Sequence, residues 1–316
     1  MIQSPLNYTG GKYRLLPQIL PLFPQKIGTF VDLFCGGCNV GVNAACARVE
    51  YNDCSVQLIR LLQTLRATPQ KQLLEKIYAI IAQYGLSLVS QHGYDYYGCD
   101  SSRGLGPYNK EKFLALRAAY NQGCAEGKTG PEQDILLYVI LVYAFNNQIR
   151  FNSKGEFNLP VGKRDFNAKM EQKLLDFTAK LQEQENVFSC CDFREYDISH
   201  LGSSDFVYAD PPYLITCATY NENGGWGEQD EKDLLHFLDS LHEKGVRFAL
   251  SNVLRSKGRE NEILLEWLQR NKTRYHALPL HYSYANASYH TKDKRGSAEE
   301  VLVVNYRPGK GGRHAK

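Results

Sequence analysis

Long apolar runs are missing from this 316-residue sequence. The longest, "ILLYVILVYAF" at 135–145, has 11 residues, against the roughly 18 that a membrane span needs. It reads as a buried helix. The N-terminus "MIQSPLNYTGGKYR" lacks the charged head and apolar stretch of a secretory signal. A soluble cytoplasmic protein without a membrane partner is therefore expected. Internal repeats and long low-complexity segments are also lacking, which excludes solenoid and fibrous architectures. Nor is there a bulk charge: the net value is +3, and basic residues gather only locally, at 146–166, 290–296 and 307–316.

A regular cysteine pattern is absent too. The nine cysteines form an odd and scattered set in a long chain, unlike the short, evenly spaced frameworks of secreted disulfide domains, so reduced thiols are expected. Cys35 and Cys38 make a Cys-x-x-Cys, but the other close pair, Cys190 and Cys191, is adjacent in sequence. Neighbouring strand residues point to opposite faces, so no second metal-ligand pair is available and no metal is expected.

What is present is an alternation of short apolar strands with helices. Strand signals fall at 29–34, 49–53, 186–193, 205–210, 246–252, 274–280 and 300–306, and helical signals at 39–48, 228–245 and 261–271. This order predicts a doubly wound α/β sheet, with its ligand beyond the carboxyl ends of the strands. Strand signals stop at Asp53 and resume near Asn186. The stretch between them reads largely helical, at 55–66, 70–85, 109–123 and 132–147, as an insertion of roughly 100 residues. A ligand gripped between two modules is expected.

Two constellations carry chemistry. In "FVDLFCGGCNVG" (30–41) a strand runs into a glycine turn, and Asp53 ends the next strand. Glycine lets backbone approach a ligand, and a carboxylate there is suited to ribose hydroxyls. The turn lacks a full G-x-G-x-x-G, which favours a cofactor without a pyrophosphate. The sharper motif is "FVYADPPYLI" (206–215). Two prolines cannot continue a sheet ladder, so the chain must leave it in a fixed direction. That makes the Asp210 carboxylate and the Pro211 carbonyl neighbouring acceptors, with the Tyr213 ring as a stacking face. Pro212 holds the turn between them. Two acceptors beside a planar platform suit the exocyclic amine of a nucleobase.

In the order "NYTGGK" (7–12), "FCGGC" (34–38), helical insert, "GEFNLPVG" (155–162) and "DPPY" (210–213), the chain resembles the Dam-type DNA adenine methyltransferases, of the D12 class and alpha group. The resemblance implies a Rossmann-like, S-adenosylmethionine-dependent sheet with a mainly helical target-recognition insertion. The catalytic domain would comprise 1–58 and 165–316, and the recognition domain 59–164, with a DNA-reading hairpin near 145–162. Tyr8, Gly10, Gly11, Lys12, Asp32, Phe34, Cys35, Gly36, Gly37, Asp53, Asp192, Phe193 and Asp210 would surround the cofactor. Asp53 would hold its ribose, and Asp192 and Phe193 would flank its adenine. Asp210, Pro211, Pro212 and Tyr213 would act on an adenine flipped from double-stranded DNA.

For DNA contacts the resemblance directs attention to Asn7, Phe145, Asn146, Asn147, Gln148, Arg150, Asn152, Lys154, Lys163, Arg164, Lys292, Lys294 and Arg295. Gln148 and Arg150 are candidates for base edges, and Lys154, Lys163 and Arg164 for phosphates. A companion restriction endonuclease, a monomeric state and a nucleoid location on DNA are further expectations. Alternatives are an amino-cytosine methyltransferase on the same fold, a catalytically silent DNA-binding regulator, and a thiol oxidoreductase using Cys35 and Cys38. Cys38 stands where the family pattern F-x-G-x-G has its last glycine. It is expected to avoid positive φ, with its thiol packed and inert.

Overall fold

A computed structural model describes residues 1–8, 10–216, 225–281 and 298–308. Their internal contacts divide them into two compact units, one of Met1–Gly11 with Ser55–Gln184 and the other of Lys12–Cys54 with Glu185–Lys316.

The second unit is built on an eight-stranded sheet in the order β3-β2-β1-β4-β5-β8-β7, with β6 paired to β5. The strands are β1 (Thr29–Asp32), β2 (Arg48–Asn52), β3 (Glu185–Ser189), β4 (Phe206–Ala209), β5 (Arg247–Ser256), β6 (Arg259–Glu260), β7 (His276–Leu280) and β8 (Glu299–Val304). β3, β2, β1, β4 and β5 run parallel, and β8 lies antiparallel between β5 and β7, so that β7 shares the direction of the parallel strands. The strand order reverses beside β1, so β1 and β4 carry their carboxyl ends to the switch point where doubly wound sheets bind ligands.

The period of two explains the packing. Val31, Leu33, Val207, Ala209, Phe248 and Leu250 point to one face and are buried under helices Glu228–Glu243 and Glu262–Arg270, through Leu234, Leu238, Leu264 and Trp267. Their neighbours Phe30, Phe206 and Tyr208 point to the other face, where the Phe23 ring lies 4.8–5.7 Å from each. Burying such a side chain contributes about 1.5–3 kcal/mol, so both faces of the central strands are committed to core. The helix expected over 39–48 is reduced to a single 3-10 turn, Gly41–Asn43. The turn ends where Ala44 returns to extended backbone (φ −69°, ψ 135°), and position 41 needs glycine, since a Cβ there would meet the Tyr51 ring at 2.5 Å and the Asp32 carboxylate at 3.0 Å.

The first unit is helical. Helix Pro131–Tyr143 runs through its centre with ten buried residues, from Gln133 to Tyr143, and packs against Val56–Ala67, Gln70–Tyr84 and Gly106–Ala125. The 135–145 run thus lies mainly in a buried helix. Among the described residues no helix is long and apolar enough to cross a membrane. A further helix, Ala168–Glu183, packs on Val56–Ala67 and Gln70–Tyr84. It lies in a stretch where the sequence patterns showed neither strand nor helix, and Asn167 caps its start by accepting from the Met170 N–H.

Candidate active site

Asp210 follows β4 directly, and the two prolines after it take the chain off the sheet. The Lys12 ammonium lies 2.8 Å from Asp210 Oδ1 and 3.9 Å from Glu300 Oε1. The Tyr213 hydroxyl lies 3.1 Å from Asp210 Oδ1 and 3.2 Å from Glu300 Oε1. Lys12 Nζ also stands 4.9 Å from the Tyr213 ring centroid, so a cation covers one face of that ring. Burial pushes the Asp210 carboxyl up from its ordinary range, and Lys12 and the Tyr213 hydroxyl oppose that rise. Burial raises Glu300 and Tyr213 as well. Glu300 escaped sequence reasoning. Its signal was an acid opening the last strand, which only pairing across the sheet brings to β4.

The glycine turn sits at the carboxyl end of β1. Gly36 has φ 46°, and its N–H donates to Asp53 Oδ2 at 3.1 Å. Asp53 thereby fixes the turn from the end of β2. Cys38 differs from expectation: it adopts φ 59°. The turn requires this conformation, since the Cys38 N–H donates to the Cys35 carbonyl at 2.6 Å and the Cys38 carbonyl accepts from Val42 at 3.1 Å. A left-handed non-glycine residue costs roughly 1–2 kcal/mol, which burial of the thiol side chain offsets. Both Cys35 and Cys38 are buried free thiols, and burial raises both, so they stay protonated at neutral pH.

Asp32 is buried behind the turn, with Oδ2 accepting from the Gly41 N–H at 2.9 Å. Burial, resisted by that hydrogen bond and reinforced by the charges of Asp210 and Asp53, raises its carboxyl to about 7. Asn52 was missed by sequence reasoning. Its amide donates to the Leu33 and Cys191 carbonyls, both at 3.1 Å, and accepts from Ser189 Oγ at 2.9 Å, tying the ends of β1, β2 and β3 together.

Asp192 caps the turn Phe193–Glu195, and Arg194 bonds back to it at 3.0 Å while also reaching Asp230 at 2.6 Å and Asp233 at 2.7 Å. Phe193 is buried against Phe34 (5.5 Å) and Trp226 (5.7 Å). Trp226, another residue the sequence did not single out, donates to the buried Glu231, which also accepts from Asn252 and Asn261. Glycine turn, carboxylates and rings thus collect along the carboxyl edge of β1, β2, β3 and β4. This donor set suits a nucleoside-bearing cofactor, whose hydroxyls need carboxylates and whose base needs rings.

Tyr8, Gly10 and Gly11 fall in the first unit, where Gly11 N–H donates to the Tyr8 carbonyl at 3.0 Å and Gly10 has φ 80°. The 145–162 segment folds back on itself there too, with Ala144 paired to Val161 and Phe151 to Phe157. Asn121, on helix Gly106–Ala125, clamps both backbone groups of Phe157, at 2.9 and 3.1 Å. Gly162 admits the close pairing, since a Cβ there would meet the Ala144 carbonyl at 2.4 Å. Phe145, Asn146, Arg150, Lys154, Lys163 and Arg164 are exposed, and Gln148 is half-buried. Arg150 Nε donates to Asn158 Oδ1 at 2.8 Å, and Asn7 donates to the Asn146 carbonyl at 2.6 Å. Two further members of the expected set, Asn147 and Asn152, spend their side chains on nearby backbone. Asn147 is buried and donates to carbonyls at the end of helix Pro131–Tyr143. Asn152 accepts from the Lys154 and Glu156 N–H groups, organising the hairpin tip. Lys292, Lys294 and Arg295 lie outside the described residues.

The family description D12 class N6 adenine-specific DNA methyltransferase matches residues 8–285. The chain belongs to this family. It is 42% identical over 311 residues to the type II methyltransferase M.FokI of Planomicrobium okeanokoites, covering 96% of this chain and 43% of that protein. Against the modification methylase StsI of Streptococcus sanguinis the identity is 39%, with the same coverage of 96% and 43%. Against the modification methylase LlaI of Lactococcus lactis it is 32%, again covering 96% and 43%. The chain therefore spans less than half the length of these relatives. Within the family, the mixed sheet of the second unit is a methyltransferase fold.

Proposed function

We propose that this chain transfers a methyl group from S-adenosylmethionine to the exocyclic amino group of an adenine flipped out of a short recognition sequence in double-stranded DNA. Its strongest support is the Asp210-Pro211-Pro212-Tyr213 segment at the end of β4, held by Lys12 in a chain of the D12 family. S-adenosylmethionine, when bound, supplies an electrophilic methyl on a sulfonium sulfur. Asp53 takes the ribose hydroxyls, and Phe34, Phe193 and Trp226 provide the apolar rings against which an adenine packs, with Asp192 beside them. Gly36 and Gly37 leave room for the donor at the turn, and Asp32 supports it from behind.

The Asp210 carboxylate and the Pro211 carbonyl accept the two amino hydrogens. This draws the nitrogen towards a tetrahedral shape and frees its lone pair for attack. As the new N–C bond forms, the methyl's bond to the sulfonium sulfur would break with its electron pair left on sulfur as a thioether, and the surplus proton leaves by way of Asp210 to solvent. Tyr213 stacks on the flipped base with the ring face that Lys12 does not cover. Flipping is needed because an enzyme cannot reach this amine inside the stack. In the first unit Gln148 and Arg150 read base edges, with Asn7 and Asn146 beside them, Phe145 fills the gap left by the base, and Lys154, Lys163 and Arg164 hold phosphates. A restriction endonuclease of matching site is the partner this reading gives, since named relatives are modification methylases.

Incubation with methyl-labelled S-adenosylmethionine and mixed-sequence duplex DNA tests the reading. Label should appear on the N6 of adenine at one recurrent sequence, and Asp210→Ala should abolish it. Unlabelled DNA, or label on cytosine, would overturn it.

A further inference from the structure

Four polar groups meet at the end of β4, and their hydrogen bonds do not balance. Asp210 Oδ1 takes both the Lys12 ammonium (2.8 Å) and the Tyr213 hydroxyl (3.1 Å). The same hydroxyl faces Glu300 Oε1 at 3.2 Å, yet it has one hydrogen and serves one carboxylate at a time. Lys12 is within hydrogen-bond reach of Asp210 and stops 3.9 Å short of Glu300. Glu300, whose side chain is 11% exposed, thus competes with Asp210 for the same two donors. Such an acid is costly unless it is given a partner at some stage.

The chemistry supplies that stage. Lys12 and Tyr213 both load Asp210 Oδ1, and an amine hydrogen arriving on the same carboxylate competes with them for its charge and weakens its hold on them. We propose that Glu300 is a positioning residue for the Asp210 centre: it takes over the Lys12 ammonium and the Tyr213 hydroxyl as Asp210 engages the target amino group. The inference rests on the methyl-transfer reading above. A displacement of about 1 Å brings the Lys12–Glu300 contact into hydrogen-bond range, and β8 places Glu300 in register between Val253 of β5 and Leu280 of β7. Asp210 then keeps its charge when the amine arrives, because Lys12 remains beside both acids.

The groups facing Asp210 are Lys12 from the 3-10 turn Lys12–Leu15, Asp32 of β1, Tyr208 of β4, Tyr213 after β4, and Glu300 of β8. Removing the Glu300 charge leaves Lys12 wholly on Asp210, so Asp210 should titrate at lower pH. The deciding experiment is carboxyl carbon NMR of the full chain labelled at aspartate, with Asp210→Asn assigning the resonance, in wild type, E300Q and E300D. The Asp210 midpoint should drop by about half a pH unit or more in E300Q and return in E300D. In parallel, kcat for DNA methylation should fall about tenfold or more in E300Q, with KM for DNA and cofactor within about twofold, and E300D should recover part of it. An unchanged Asp210 midpoint, or an unchanged kcat, overturns the role of Glu300. So does a loss of activity that follows only a lowered melting temperature. A wild-type chain that does not methylate DNA overturns the functional reading instead, while the titration still decides whether Glu300 controls Asp210.

Discussion

Lys12 and Asp210 form an ion pair 2.8 Å long in which the lysine side chain is 4% and the aspartate side chain 17% exposed. A pair this buried adds little net stability, because desolvation consumes most of the Coulombic gain, but removing one member leaves the other uncompensated. Its value lies in holding a carboxylate charged in a place that favours the neutral acid.

Lys12→Met should therefore act through protonation. Without the ammonium, only the Tyr213 hydroxyl still opposes burial, and the Asp210 carboxyl rises further. The acid limb of the pH–rate profile should move to higher pH, the reverse of the shift in E300Q, and activity should recover partly at alkaline pH. A limb that stays in place would show that Lys12 does not set the charge of Asp210.

Asp32 should leave a signature in stability rather than rate. Its carboxyl is raised from 3.8 to about 7 in the folded chain, so the folded state binds the extra proton. Its contribution is complete below the unfolded value and is lost as pH rises through about 7. Asp32→Asn keeps an acceptor for the Gly41 N–H and removes this dependence. Denaturant titrations from pH 4 to 8 should show wild type losing stability relative to Asp32→Asn, by up to about 4 kcal/mol. Parallel curves would contradict the raised value.

The left-handed Cys38 gives a graded test. Cys38→Gly relieves roughly 1–2 kcal/mol of backbone strain but frees the unfolded chain and empties a packed site, so its stability should stay within about 1 kcal/mol of wild type. Cys38→Val places a β-branched residue at φ 59° and should lose about 2 kcal/mol or more by denaturant unfolding. Equal stability of the two variants would mean that the turn relaxes out of this conformation.

On the hairpin, Arg150 and Lys154 should separate specificity from affinity. Arg150 is oriented by Asn158 at 2.8 Å, as a base-reading guanidinium needs to be. Arg150→Ala should relax sequence choice at one position by about 1–3 kcal/mol, whereas Lys154→Ala should weaken all duplexes alike and flatten the salt slope by about one. Uniform weakening by Arg150→Ala would reassign it to the phosphates.

Much of this protein is local in its sequence. The strands, their order along the chain, the helical interruption after Asp53 and the DPPY segment follow from periodicity, proline chemistry and glycine turns, which act over a few residues. The family resemblance rests on the same local motifs. What sequence patterns missed is long-range. Glu300 reaches Asp210 because β8 pairs with β5, Trp226 meets Phe34 through a buried Glu231 network, and Asn52 ties three strand ends. The 39–48 segment reads as helix by composition yet makes one 3-10 turn, with the Gly41 N–H held by Asp32 and the backbone extended again at Ala44. Cys38 takes positive φ because a hydrogen-bonded turn demands it, whatever residue stands there. Short-range preferences select the elements and the reactive groups. Which groups share a proton or an ion pair is decided only when the sheet closes, since those energies depend on burial and distance between residues remote in the chain.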